Sequence, residues 1–246
     1  MRKLLMIVPL ILAGACSAIA QTNQVQASGQ RGQRNFEVAA FESVALQGPH
    51  NVVVTVGNGP SVRAEGDTAA LDMLDIRVEN GRLIVGTRRG WSWNGPDGAV
   101  TVHVSTRALN GAAIGGSGDM RIDRVQGDRF AASVSGSGDM EIGALQIREA
   151  GFSIAGSGDI RAVGSAEATD ISIAGSGGMA LDGLQARRAN VSIMGSGDVT
   201  IQASEAVEGS IMGSGNINVR GDARCNVTRM GSGSVNCGRS SGMTAD

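Results

Sequence analysis

Four aspartates, Asp119, Asp139, Asp159 and Asp198, each follow directly on a Gly-Ser-Gly triplet. Carboxylates recurring at one position of a repeat suit calcium, a hard cation that takes oxygen ligands. Calcium-binding Gly-Asp repeats, however, run on a nonapeptide period with a residue between Gly and Asp. Here Asp follows Gly at once and the period is 18 to 20 residues. The expectation is therefore that each Asp accepts hydrogen bonds from its own turn, with no metal or other cofactor. The central serines, Ser117, Ser137, Ser157, Ser176, Ser196, Ser214 and Ser232, are the second candidates. A serine becomes a nucleophile only beside a base, and neither His50 nor His103 stands near a triplet in sequence. Stacked hydroxyls that donate and accept along a ladder are expected instead.

Other residues suit binding rather than reaction. Arg88, Arg89, Trp91 and Trp93 lie together, and they include both tryptophans of the chain. In an extended segment Trp91 and Trp93 share a face. Aromatic rings beside Arg suit contact with a sugar or peptide; rings covering an edge of the core are the alternative. Cys225 and Cys237 lie six residues either side of Gly231, with the parity of the apolar positions. They are expected to form a disulfide stapling the last repeat.

What must position these residues is an internal repeat. The triplet begins at Gly116, Gly136, Gly156, Gly175, Gly195, Gly213 and Gly231. Two residues before it stand Ile114, Val134, Ile154, Ile173, Ile193 and Ile211, then Arg229. Four after it stand Met120, Met140, Ile160, Met179, Val199, Ile217 and Val235. The residues between are small or polar. Alternation on both sides of a glycine-rich break predicts strand, turn, strand with one face buried. A single unit cannot bury its own apolar face, so the units must stack. The chain is thus predicted to be all-β, a parallel β-helix (solenoid) with 18-20-residue coils and Gly-Ser-Gly-Asp turns, its neighbouring coils one strand spacing apart. Arg121, Glu141 and Arg161 would form an outward ion-pair ladder. The position before each triplet carries Gly115, Ser135, Ala155, Ala174, Met194, Met212 and Met230. That row, beside a run of serines, reads as a flat uncharged strip and a candidate interface for self-association.

Upstream, Phe41 to Leu46, Asn51 to Val56, Arg82 to Thr87 and Ala99 to Val104 read as strands, and Ala69 to Leu74 as a helical turn. They look like further coils with the turn motif worn away. The stretch from about Phe36 to Cys237 resembles the head GIN domain family. The repeated Gly-Ser-Gly-Asp turns, the Phe41 to Gly57 stretch, Gly66-Asp67, Leu71-Asp72-Met73-Leu74 and Gly81-Arg82-Leu83-Ile84-Val85 carry the resemblance. It implies a right-handed parallel β-helix in the bacterial cell envelope, an adhesin-like role and no catalytic residues.

Arg2 and Lys3 precede an apolar run that ends at Ala18-Ile19-Ala20. This is the anatomy of a secretory signal peptide cut between Ala20 and Gln21. Lipidation at Cys16 is the alternative, although the position three residues before it is Ala13. The expected organisation is a signal peptide at 1–20, a flexible leader at 21–35, the β-helix at 36–238 and a tail at 239–246. The location is periplasmic or extracellular. A formal net charge of −2 and 2% aromatic residues exclude a nucleic-acid partner, and no segment is apolar enough to span a membrane. The functions in play are a non-catalytic surface module binding a glycan or protein, and a structural or self-associating solenoid. A polysaccharide-active β-helix enzyme is the remote third, since no distinctive acid pair stands outside the turns.

Overall fold

The computed structural model describes residues 23–95 and 99–238. The expected signal peptide, Cys16, the Ala20 and Gln21 cleavage site and the 239–246 tail lie outside the described residues. In chain order the elements are β1 (Asn23–Gln26), β2 (Arg31–Phe36), β3 (Ser43–Gln47), β4 (Asn51–Val56), β5 (Ser61–Asp67), α1 (Thr68–Met73), β6 (Leu74–Glu79), β7 (Arg82–Thr87), β8 (Trp91–Asn94) and β9 (Val100–Thr106). The repeat supplies β10 (Gly111–Gly116), β11 (Met120–Ile122), β12 (Val125–Gly136), β13 (Met140–Gly156), β14 (Ile160–Gly175), β15 (Gly178–Gly195), β16 (Asp198–Gly213), β17 (Asn216–Arg220), β18 (Arg224–Met230) and β19 (Ser234–Cys237).

From β10 onward every pairing is parallel and joins one coil to the next. The fold is a β-solenoid of about 6 turns with coils of about 20 residues. Each coil has a side before the triplet, in the register Ser133, Ser153, Ser172, Ser192, Ser210, Thr228. A second side follows the triplet, in the register Met120, Met140, Ile160, Met179, Val199, Ile217, Val235. A third side closes the coil, in the register Val125, Leu145, Gly164, Leu184. The alternation places Ile114, Val134, Ile154, Ile173, Ile193 and Ile211 in one buried column. Each such side chain contributes about 1.5–3 kcal/mol when fully buried. No coil could keep that column from water alone, so order in one coil depends on its neighbours.

The triplet glycines are set by two constraints. The first Gly of each triplet has φ between +129° and +143°, a region L side chains oppose. The third packs on the coil beneath: a Cβ at Gly138 would stand 2.0 Å from the Gly118 carbonyl oxygen.

Upstream of the repeat only part of the chain continues the coil. β3 pairs with β10, and β4 with β11, so Gly48-Pro49-His50 takes the triplet's place beneath Gly116. On their other edges β3 pairs with β7 and β4 with β9. The strands that the sequence did not announce, β2, β5 and β6, do not continue the coil pattern. β6 runs antiparallel to β7, and β5 lies antiparallel to both β9 and β2. These strands and α1 cap the N-terminal end of the solenoid and cover its edges, which would otherwise offer unpaired backbone. Within the segment expected as a leader, 21–35, lie β1 and all of β2 except Phe36. β2 is largely exposed and lacks alternation, so its order comes from its partner β5 rather than from an apolar face of its own.

Candidate functional site

A groove of about 800 Å³ opens in the N-terminal cap. Its walls come from the β1–β2 connection, the end of β5, Trp93 on β8 and the start of β9. Asp67 holds these pieces together. Its carboxylate caps α1 by accepting from Ala69 N (2.9 Å) and Ala70 N (3.4 Å). It also accepts from Ser28 N, Ser28 Oγ and Gly29 N at 3.1, 2.9 and 2.9 Å. Burial alone would raise this carboxyl; the hydrogen bonds from Ser28, Gly29 and Ala69 outweigh it and hold the group below its usual range.

Glu65 forms the adjacent wall. It accepts from Arg63 at 2.7 Å and meets His103 Nε2 at 3.1 Å. The hydrogen bond from Arg63, followed by that to His103, lowers its pKa. Arg31, Gln33 and Thr101 line the same groove. Among the described residues the side chains of Arg31 and Gln33 have no hydrogen bond or ion pair, which leaves their donors and acceptors for a ligand.

The four residues expected to contact a ligand separate here. Trp93 is half-buried, packs against the core and lines the groove. Trp91 is 44% exposed and lies outside its lining, as do the exposed Arg88 and Arg89. β8 pairs in parallel with β1, in the register Trp91 to Asn23 and Trp93 to Val25. A loop residue was thus made part of a wall by a partner strand that the sequence did not announce. The groove-lining roles of Arg31, Gln33, Glu65 and Asp67 were missed for the same reason. The Gly66-Asp67 pair noted as part of the resemblance was the one available signal.

The turn ladder differs from expectation in its chemistry. All seven triplet serines are exposed and their hydroxyls have no hydrogen-bond partner among the described residues. Their contribution runs through the backbone, as in Ser137 N to Gly116 O at 3.0 Å. The side-chain ladder belongs to the position that follows the triplet and crosses between coils rather than closing each residue's own turn. Asp119 Oδ1 accepts from Asp139 N (3.0 Å), Asp139 Oδ1 from Asp159 N (2.9 Å) and Asp159 Oδ1 from Gly178 N (2.8 Å). It breaks at Gly178, which has no side chain, and resumes from Asp198 to Asn216 (3.0 Å) and from Asn216 to Ser234 (3.1 Å). The outer ion pairs are also partly rearranged. Arg121 meets Glu141 at 3.2 Å, but Arg161 turns to Asp159 at 3.8 Å.

The strip before the triplets is exposed as a continuous row. Ala155, Ala174, Met194, Met212 and Met230 stand in register on successive coils. The three methionines are 48%, 47% and 67% exposed. At the C-terminal end Cys225 and Cys237 are disulfide-bonded and pack against the end of the core. Arg229, at the position apolar in other coils, is exposed and donates to the Gly233 carbonyl at 3.3 Å.

The family model described as "Putative auto-transporter adhesin, head GIN domain" matches residues 40–223. Solved structures share the fold. A putative adhesin from Bacteroides fragilis aligns with a TM-score of 0.81 at 21% identity, over 86% of this chain and 99% of that one. A putative lipid binding protein from Parabacteroides distasonis aligns at 0.73 and 22% identity, over 88% and 100%. A putative adhesin from Parabacteroides merdae aligns at 0.71 and 21% identity, over 88% and 100%. No functionally curated protein matches the sequence. No helix among the described residues is long and apolar enough to cross a membrane.

Proposed function

Because the chain belongs to the head GIN domain family, we propose that it is an exported, non-catalytic, adhesin-like module of the cell envelope that binds a carbohydrate in the cap groove. The observation that carries this reading is the placement of Trp93 in a groove that also presents the polar side chains of Arg31, Gln33, Glu65, Asp67 and Thr101. An indole face accepts the apolar face of a sugar ring, while planar polar side chains take its hydroxyls. The volume falls within the range of small-ligand sites. A binding role is favoured over a catalytic one by the state of the candidate groups. His50 is buried with Thr87 as its hydrogen-bond partner, His103 is engaged by Glu65, and no triplet serine has a base on its hydroxyl. Export rests on the signal-peptide pattern of residues 1–20.

The test is a glycan-array and calorimetric screen with wild type, Trp93→Ala, Arg31→Ala, Gln33→Ala and Trp91→Ala. Loss of a specific hit in the first three, with Trp91→Ala little changed, supports the groove. The two polar variants lie on the surface, so they separate lost binding from lost folding. Retained binding in all of them refutes the site.

A second reading, self-association of the solenoid, is favoured by one observation. β18 and β19 pair on one edge only among the described residues, and free strand edges template pairing. Sedimentation over a concentration series tests it.

A further inference from the structure

We infer that Met194, Met212 and Met230 form a thioether site for a soft monovalent cation, copper(I) or silver(I). The three residues are direct cross-strand partners on consecutive coils, Met194 opposite Met212 and Met212 opposite Met230. Neighbouring strands in a sheet lie about 4.8 Å apart. Each side chain stands on the outer face, where all three remain substantially exposed. Methionine has three rotatable bonds and a polarisable sulfur, so adjacent thioethers on this scaffold can converge on one ion between them. Thioethers carry no charge and no proton to displace, and they select soft cations such as copper(I) over calcium or magnesium.

The surroundings admit a cation. The adjoining outward row is Ser192, Ser210 and Thr228, without a basic residue. The nearby Arg229 is occupied by the Gly233 carbonyl. Cys225 and Cys237, the other soft ligands in this part of the chain, are joined to each other. The interior methionines of the repeat, Met120, Met140 and Met179, are buried in the core, so the exposed trio is a separate population with no packing role to explain it. The rigid register also fixes the order of the ligands: Met212 is the middle rung and shares any ion with either neighbour.

The test titrates the purified, oxidised protein with silver nitrate, without reductant, by calorimetry and native mass spectrometry. One silver ion per chain is expected. Partners outside the ligand set alone change metal affinity by about 10- to 100-fold, so Met212→Leu, which removes a ligand, should weaken binding by about tenfold or more. Met194→Leu and Met230→Leu should each weaken it less than Met212→Leu. Leucine preserves the exposed apolar surface, and an unchanged melting curve confirms that the fold is intact. Absence of silver binding, or equal affinity in Met212→Leu and wild type, overturns the site. Wild-type self-association that is lost in Met212→Arg, while silver does not bind the wild type, would assign the row to an interface instead.

Discussion

The backbone N–H of Asp139 donates to Oδ1 of Asp119, 3.0 Å away and one coil earlier. This single contact defines a side-chain ladder parallel to the main-chain one. Replacing Asp139 by Ala should remove the acceptor for Asp159 N and cost about 0.5–1.5 kcal/mol, the net worth of an ordinary hydrogen bond. Asp139→Asn should cost less, because Asn216 already serves the same role toward Ser234. Urea denaturation midpoints of the two variants check the order. Equal losses would show that the charge, rather than the acceptor, matters.

The glycines divide sharply by position. Gly138→Ala would place a Cβ 2.0 Å from a backbone carbonyl of the coil beneath, where nothing can yield by a rotamer change. A loss of about 3 kcal/mol or more is expected, at or above the usual range for overpacking. Gly151→Ala, on a strand of the same repeat, meets nothing within 4 Å and should be neutral or slightly stabilising. Thermal melts of the pair distinguish crowding between coils from a general intolerance of side chains.

The repeat was legible because alternation and a glycine break recur together. Ile114 through Ile211 could be placed in one buried column from spacing alone. The cap was legible only in part. β4 and β7 coincide with segments read as strands, and α1 with the expected helical turn, because their apolar residues face the core. β2 was invisible, since Phe36 is its one large apolar residue and the rest of the strand carries no alternation. β1 and β8 order each other, and sequence separates Asn23 from Trp91 too widely for local pattern to pair them. The groove therefore could not be assembled, although Trp93, one of its walls, was singled out. The serine ladder was misassigned because a repeated residue type does not reveal whether its side chain or its backbone does the bonding.

His50 should make stability depend on pH. It is 2% exposed, and burial lowers its pKa from 6.5 to about 4. As the pH falls from about 6.5 towards about 4, the unfolded chain gains a proton that the folded one refuses, so stability falls. The full contribution is about 3 kcal/mol, at 1.36 kcal/mol per unit; below about pH 4 this group causes no further loss. His50→Gln, which can still reach Thr87, should flatten the profile across that window. An unchanged slope in chemical denaturation would assign the dependence to other groups.

Reduction of the Cys225–Cys237 bond should act locally. A disulfide closing a short loop contributes about 2–4 kcal/mol, but a repeat fold couples each unit chiefly to its neighbours. Hydrogen exchange should therefore quicken over residues 224–237 and remain slow in β13 and β14. A uniform increase along the solenoid would show that the last coil governs the cooperativity of the whole.

The near-constant coil makes the molecule a ruler with graduations of one strand spacing. Removing residues 137–156, a complete period from one triplet Ser to the residue before the next, would bring Gly136 directly before Ser157. It would preserve the facing of every remaining side chain and shorten the rod by about 4.8 Å. The groove at one end and the disulfide-closed coil at the other would stay chemically unchanged while their separation changed. Length and the chemistry of the two ends are thus independent variables in this architecture, and duplication or loss of a coil adjusts the first without disturbing the second.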